Sequence, residues 1–275
     1  MNLFGVMQGR LLPPIEGKIQ AHPGELWKEE FPIAKECGLD LIEWIFEARD
    51  WQKNAIMADP DEIIKYSQQC NIKVITLIAD FFMDCPLLRA SSADVESRMA
   101  VFEDLLTKAS RIGVKFLNVP FVDNSEITSD SERDQVAHLM SRLLPQAEKL
   151  GMEIALETSL NPEKFRELLE TINHPLIKVN YDIGNSAGLG YDPAEEMDAY
   201  GSFIATIHIK DRVLGANTVP LGQGSADFDT VFPRLADLNY EGPFTLQAAR
   251  NGDERTATKT YLKFVNNYLN KYFPR

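Results

Sequence analysis

Eight short apolar runs alternate with stretches of helical periodicity along the whole of this 275-residue chain, at residues 3–7, 39–44, 73–78, 114–119, 153–157, 177–182, 203–209 and 243–247. Parallel strands cannot be joined by a tight turn, and a helix is the usual crossover between them. The rhythm therefore predicts a parallel sheet with helices packed against it. Eight strand–helix units over roughly 250 residues is the arrangement of a closed barrel. We read a single-domain α/β chain, residues 1–275, folded as a (β/α)8 TIM barrel. No Pro-, Gly- or Ser-rich linker divides it, and no GxGxxG follows the first run, so a dinucleotide-binding open sheet lacks its phosphate loop.

Local punctuation agrees with this division. Asp59-Pro60, Asn161-Pro162 and Asp192-Pro193 each put a capping side chain before a proline at the first helical position. Gly38, Gly113 and Gly151 each stand where a helix must stop before the next strand, which suits a left-handed cap. Apolar residues over 258–272 recur at helical spacing and predict a last, core-facing helix.

The last four runs share a second pattern. Glu157, Asp182, His208 and Gln247 lie at their C-terminal ends, and Ala155, Asn180, Thr206 and Thr245 precede them by two positions on the same face. In a parallel barrel these ends converge at the face where active sites form. Singly, each residue has an ordinary structural use as a cap, a loop carboxylate or a buried histidine. Jointly, two carboxylates, an imidazole and an amide oxygen suit one divalent ion, Mn²⁺ or Mg²⁺, with zinc left open.

Composition removes other classes. The formal charge is −13 and the pI about 4.8, so a nucleic-acid backbone is repelled. Cys37, Cys70 and Cys85 form no CxxC and read as small buried apolar side chains in a reducing compartment. No apolar run reaches the ~20 residues of a membrane span and the start lacks a basic leader, so the expectation is a cytoplasmic protein without a membrane partner. Homo-oligomerisation stays open.

The series Glu157, Tyr181-Asp-Ile-Gly-Asn185, His208-Ile-Lys-Asp211 and Pro220-Leu-Gly-Gln-Gly224 resembles the xylose isomerase-like TIM-barrel superfamily, in particular its sugar phosphate isomerase/epimerase group with ketose 3-epimerases. The resemblance spans nearly the whole chain and is strongest from Glu157 onward. It implies a small carbohydrate substrate, a divalent metal held by Glu, Asp, His and a last-strand Glu, and proton transfer through an enediolate. It also implies that Arg212, after the His-x-Lys-Asp stretch, contacts sugar hydroxyls. Gln247 departs from the pattern, because an amide can bind a metal but cannot carry a proton near neutral pH.

With Glu157 as the base, the missing second glutamate favours one-face proton transfer, unless Lys210, which shares parity with His208, supplies the second group. Glu43, at the end of the second run, reads either as a base or substrate contact or as a carboxylate tied down by Arg10. Arg10 and Arg250 follow barrel strands and are candidates for a substrate phosphate or carboxylate, as are the amides of Gly222 and Gly224. Phe81, Phe82, Met83 and Trp51 are candidates for a wall over the sugar. A metal-dependent dehydratase and a non-catalytic sugar-binding barrel are the rival readings. Hydrolytic AP-endonuclease chemistry needs more histidines than His22, His138, His174 and His208 provide at one end.

Overall fold

The computed structural model describes residues 3–274. Eight parallel strands close into a barrel: Phe4–Met7, Leu41–Ile45, Thr76–Ile78, Phe116–Phe121, Glu153–Thr158, Ile177–Asp182, Ile204–Ile209 and Phe244–Leu246. They are called here the first to eighth strands. Each pairs with its sequence neighbours, and the eighth closes on the first through Phe4–Phe244, Gly5–Thr245 and Val6–Leu246. All eight expected strands are present, the sixth with the expected ends and the others with ends moved by at most three residues. The third and eighth are the shortest, at three residues each, and in the third Lys73 makes only an isolated bridge to Leu41 before the ladder begins at Thr76.

The punctuation works as its chemistry dictates. Helices begin at Pro60, Pro162 and Pro193, and the side chains of Asn161 and Asp192 accept from the N–H groups of Lys164 and Ala194. Asp59 precedes its helix without making that bond. Gly38, Gly113 and Gly151 have φ of 77°, 94° and 64°, a conformation that costs a side chain energy and glycine little. The last helix runs over Glu254–Tyr272, one turn longer than its periodicity suggested.

Most apolar burial lies between strands and helices. One example is the aromatic stack in which Phe232 meets Phe244 at 5.8 Å and Tyr268 at 4.7 Å. Inside the barrel, Met7, Ile45 and Ile78 form a separate small apolar cluster. Many other inward positions are polar, among them Glu43, Asn118, Glu157, Asn180, Thr206 and His208, and these build the site. The cysteines are free and half-buried rather than fully buried. Among the described residues no helix is long and apolar enough to cross a membrane.

The Phe232 ring is completely buried, so Phe232→Ala is expected to lower the unfolding free energy by about 3–5 kcal/mol, read by urea denaturation. A loss below about 1 kcal/mol would show that the helix–strand layer is not packed as described.

Candidate metal centre and active site

Glu157 on the fifth strand, Asp182 closing the sixth and His208 on the seventh point into the mouth, because alternation puts every second residue inside. Asp182 and His208 are paired across the sixth and seventh strands. One ligand atom from each of the three lies within 4.8 Å of the others. His208 Nδ1 is 3.5 Å from Glu157 Oε2 and 3.8 Å from Asp182 Oδ2. Gln247 follows the eighth strand directly, its N–H held by the Ile209 carbonyl, and its Oε1 is buried without a hydrogen-bond partner. A buried acceptor of that kind is costly unless something else supplies positive charge.

A polar layer beneath fixes these groups. The Thr206 hydroxyl lies 2.9 Å and 2.8 Å from the amide oxygens of Asn118 and Asn180. Asn180 Nδ2 donates to Glu157 Oε2 at 2.7 Å, and Asn118 Nδ2 donates to Glu43 Oε1 at 2.6 Å. Glu43 has no exposed surface, and both its oxygens are 3.2 Å from His208 Nε2. A carboxylate behind the imidazole holds a proton on Nε2, the usual support of a histidine ligand, while Nδ1 lies 3.1 Å from Asn180 Nδ2 and faces Glu157 and Asp182. Glu43 is thus held by His208 and Asn118, and not by Arg10 as the sequence suggested.

The electrostatics express one need. Three carboxylates converge on one imidazole. Although burial pulls the other way, Glu43 and Asp182 push His208 up to about 10. Burial, with Asp182 adding, raises the carboxyl of Glu157. Burial would raise Asp182 too, but Lys210 and His208 overcome it and hold the group at about 2. The cluster asks for positive charge, and oxygen donors with one imidazole are a donor set for a hard or borderline divalent ion. Glu157, Asp182, His208 and Gln247 are the residues that fit such an ion.

The family model for xylose isomerase-like TIM barrels matches residues 31–268. The chain belongs to that family. It is 21% identical over 238 residues to the L-ribulose-5-phosphate 3-epimerase UlaE of Salmonella paratyphi A, a match that covers 82% of each chain. Among solved structures it is similar to the IolI protein with a bound zinc atom, at a TM-score of 0.80 and 19% identity over 99% of this chain and 100% of that one. It is also similar to L-ribulose 3-epimerase, at a TM-score of 0.80 and 14% identity over 99% and 96% of the two chains.

On the rim of this xylose isomerase-like barrel, Asn185 ties the groups together. Its Nδ2 donates to Glu157 Oε1 at 2.7 Å, and its Oδ1 accepts from Lys210 Nζ at 2.9 Å and Arg212 Nη1 at 3.0 Å. Lys210 also meets Asp182 Oδ2 at 3.2 Å, not its neighbour Asp211. Gly184 makes room for this, since a Cβ there would lie 2.5 Å from the Lys210 Cγ. Arg212 also donates from Nε and Nη2 to the Ala216 carbonyl.

Several expected anion contacts are already engaged. Asp211 accepts from the amides of Gly222, Gly224 and Ala226 at 2.9, 2.8 and 3.1 Å, so that loop is closed on a carboxylate of its own chain. Arg250 donates to the carbonyls of Ile19, Leu12 and Gly9 and pairs with Glu254 at 3.2 Å. Arg10 is buried, donating to the Ala248 carbonyl and to Gln20. Both arginines clamp the loop after the first strand, and Glu30 helps by accepting from Gly9 and Leu11. Phe81 and Trp51 do meet, with Phe46, near the mouth, whereas Phe82 packs on Phe102 in the outer core. His138 is exposed, and His174 pairs with Glu148 outside the cluster.

Asp211→Ala removes the acceptor of three amides at once, so their hydrogen-exchange protection is expected to collapse and stability to fall by about 1–3 kcal/mol. Unchanged protection at Gly222, Gly224 and Ala226 would contradict this account of the loop.

Proposed function

We propose that this xylose isomerase-like barrel is a divalent-metal-dependent isomerase or epimerase of a small sugar or sugar phosphate, with Glu157 as the base. The observation that carries the reading is the buried convergence of Glu157, Asp182 and His208 beside an unpartnered Gln247 oxygen at the C-terminal mouth of the barrel. The similarity to proteins named L-ribulose-5-phosphate 3-epimerase and L-ribulose 3-epimerase supports the substrate class. Mn²⁺ or Mg²⁺ suits the oxygen-rich donor set, and the zinc in the IolI protein keeps that ion among those to be compared.

A divalent ion held by Glu157, Asp182, His208 and Gln247 would supply the positive charge that offsets negative charge developing on the substrate oxygens. The chain's own groups do the rest. Asn180 and Asn185 each hold one oxygen of Glu157, which fixes the carboxylate so that it can take a proton from a carbon beside the substrate carbonyl. Glu43 orients His208, and Lys210 and Asn185 keep Asp182 and Glu157 in register. Lys210, bonded to Asp182 and Asn185, and Arg212, bonded to Asn185, are cations on the rim, and Lys210 is a candidate to return the proton.

Purified protein is expected to hold about one divalent ion per chain. Asp182→Ala and His208→Ala should weaken binding by more than the roughly 10–100-fold that loss of a supporting group costs, read by elemental analysis and titration. Unchanged affinity in both variants would remove the metal from the proposal. Glu157→Gln is expected to keep the ion and to abolish deuterium uptake from D₂O beside the carbonyl of ketoses or their phosphates, followed by NMR. Persistent exchange in that variant would assign the base elsewhere.

A further inference from the structure

Past the end of the third strand lies a buried carboxylate that the metal centre leaves unused. Asp80 stands two residues past Ile78, the end of the third strand, and is 8% exposed. Its Oδ2 accepts from Gln20 Nε2 at 2.7 Å, while its Oδ1 is buried with no partner. Gln20 Oε1 accepts in turn from Gln247 Nε2 at 2.8 Å. The line Gln247–Gln20–Asp80 runs from the eighth strand to the third above the first and second. It closes the ring on the side away from the fifth, sixth and seventh strands, which carry Glu157, Asp182 and His208.

We propose that Asp80 is the second acid–base group of the site, serving the face of the reacting carbon that the amide of Gln247 cannot serve. The inference rests on the sugar isomerase or epimerase reading given above. An unpartnered carboxyl oxygen in a buried position is either a proton carrier or a group awaiting a donor, and a substrate entering the mouth offers both roles. Asp80 senses the charges of Glu157 and His208. Burial, opposed by the Gln20 hydrogen bond and reinforced by Glu157, pushes its carboxyl up to about 7. Lys210 is bound to Asp182 and to Asn185, the partner of Glu157, so it lies on the Glu157 side.

The step balances within the chain. Glu157 takes the proton from the carbon beside the carbonyl, and the electron pair of that C–H bond passes into the enediolate. Asp80, as the acid, gives its proton to the opposite face of the same carbon. The enediolate pair forms the new C–H bond and the carbonyl is restored. Glu157 is left protonated and Asp80 ionised; exchange with water resets both, and the roles reverse for the other epimer. The outcome is inversion at that carbon.

The test compares wild type, Asp80→Asn, Asp80→Glu and Lys210→Met, each loaded with Mn²⁺, on ketopentoses and ketopentose 5-phosphates in D₂O by NMR. Asparagine keeps an acceptor for Gln20 but cannot carry the proton. Asp80→Asn should bind Mn²⁺ as wild type does and keep deuterium uptake into recovered substrate within about tenfold, while inversion falls by about 10²–10⁴-fold. Asp80→Glu should restore part of the inversion. Inversion that persists in Asp80→Asn, or that is lost only in Lys210→Met, overturns the role of Asp80 and leaves the metal-enediolate reading standing. If wild type shows neither exchange nor inversion on any of these sugars, that reading falls and the role of Asp80 falls with it.

Discussion

The mouth of this barrel is organised by the burial of three carboxylates around one imidazole. Glu43, Glu157 and Asp182 sit in a place where an uncompensated charge would cost several kcal/mol. His208 stands among them, with one ring nitrogen toward Glu43 and the other toward Glu157 and Asp182. The remaining polar groups follow from that constraint. Asn118 and Asn180, both held by the Thr206 hydroxyl, satisfy Glu43 and Glu157 from below, while Asn185 and Lys210 satisfy Glu157 and Asp182 from the rim. A parallel barrel makes this feasible, because its ladders fix the register of neighbouring strands and so the height of each side chain.

Gln247 changes the character of the ring without opening it. An amide there lowers the negative charge facing the cluster and still offers an oxygen, while its nitrogen reaches Gln20. The position of Gln20 depends on a loop anchored from two sides, by Glu30 from the first long helix and by Arg250 from beyond the eighth strand. Gly9 belongs to the same device: its φ is +80°, and a Cβ would lie 2.4 Å from the Ala21 carbonyl oxygen. A contact far from the chemistry thus decides where a second carboxylate, Asp80, meets the site.

Much of this was legible in the sequence, for a physical reason. Period-two alternation tells which side chains share the inner face, and parallel topology tells which end of each strand matters, so the convergence of Glu157, Asp182 and His208 was readable from parity. Partners were not. Arg10, Arg250, Gly222 and Gly224 look from the sequence like groups awaiting an anion, and in the fold they are engaged by Ala248, Gly9 and Asp211. Pattern gives direction, whereas satisfaction depends on loops whose path no periodicity encodes. Asp80 did carry a signal, a carboxylate two positions past an inward-facing strand residue, in a run judged only by its apolar content. Asn185 stood in the Tyr181-Asp-Ile-Gly-Asn185 motif but was given no role of its own, and Gln20, in a segment without period, carried no signal.

We propose that these groups form a single divalent metal centre in which Gln247 takes part through its oxygen. Anomalous diffraction from Mn²⁺-loaded crystals tests it most directly. The account predicts one strong anomalous peak at the barrel mouth, at about 2.0–2.3 Å from Glu157, Asp182, His208 Nδ1 and Gln247 Oε1. A peak elsewhere, no peak, or one whose ligands exclude Asp182 and His208 would contradict it.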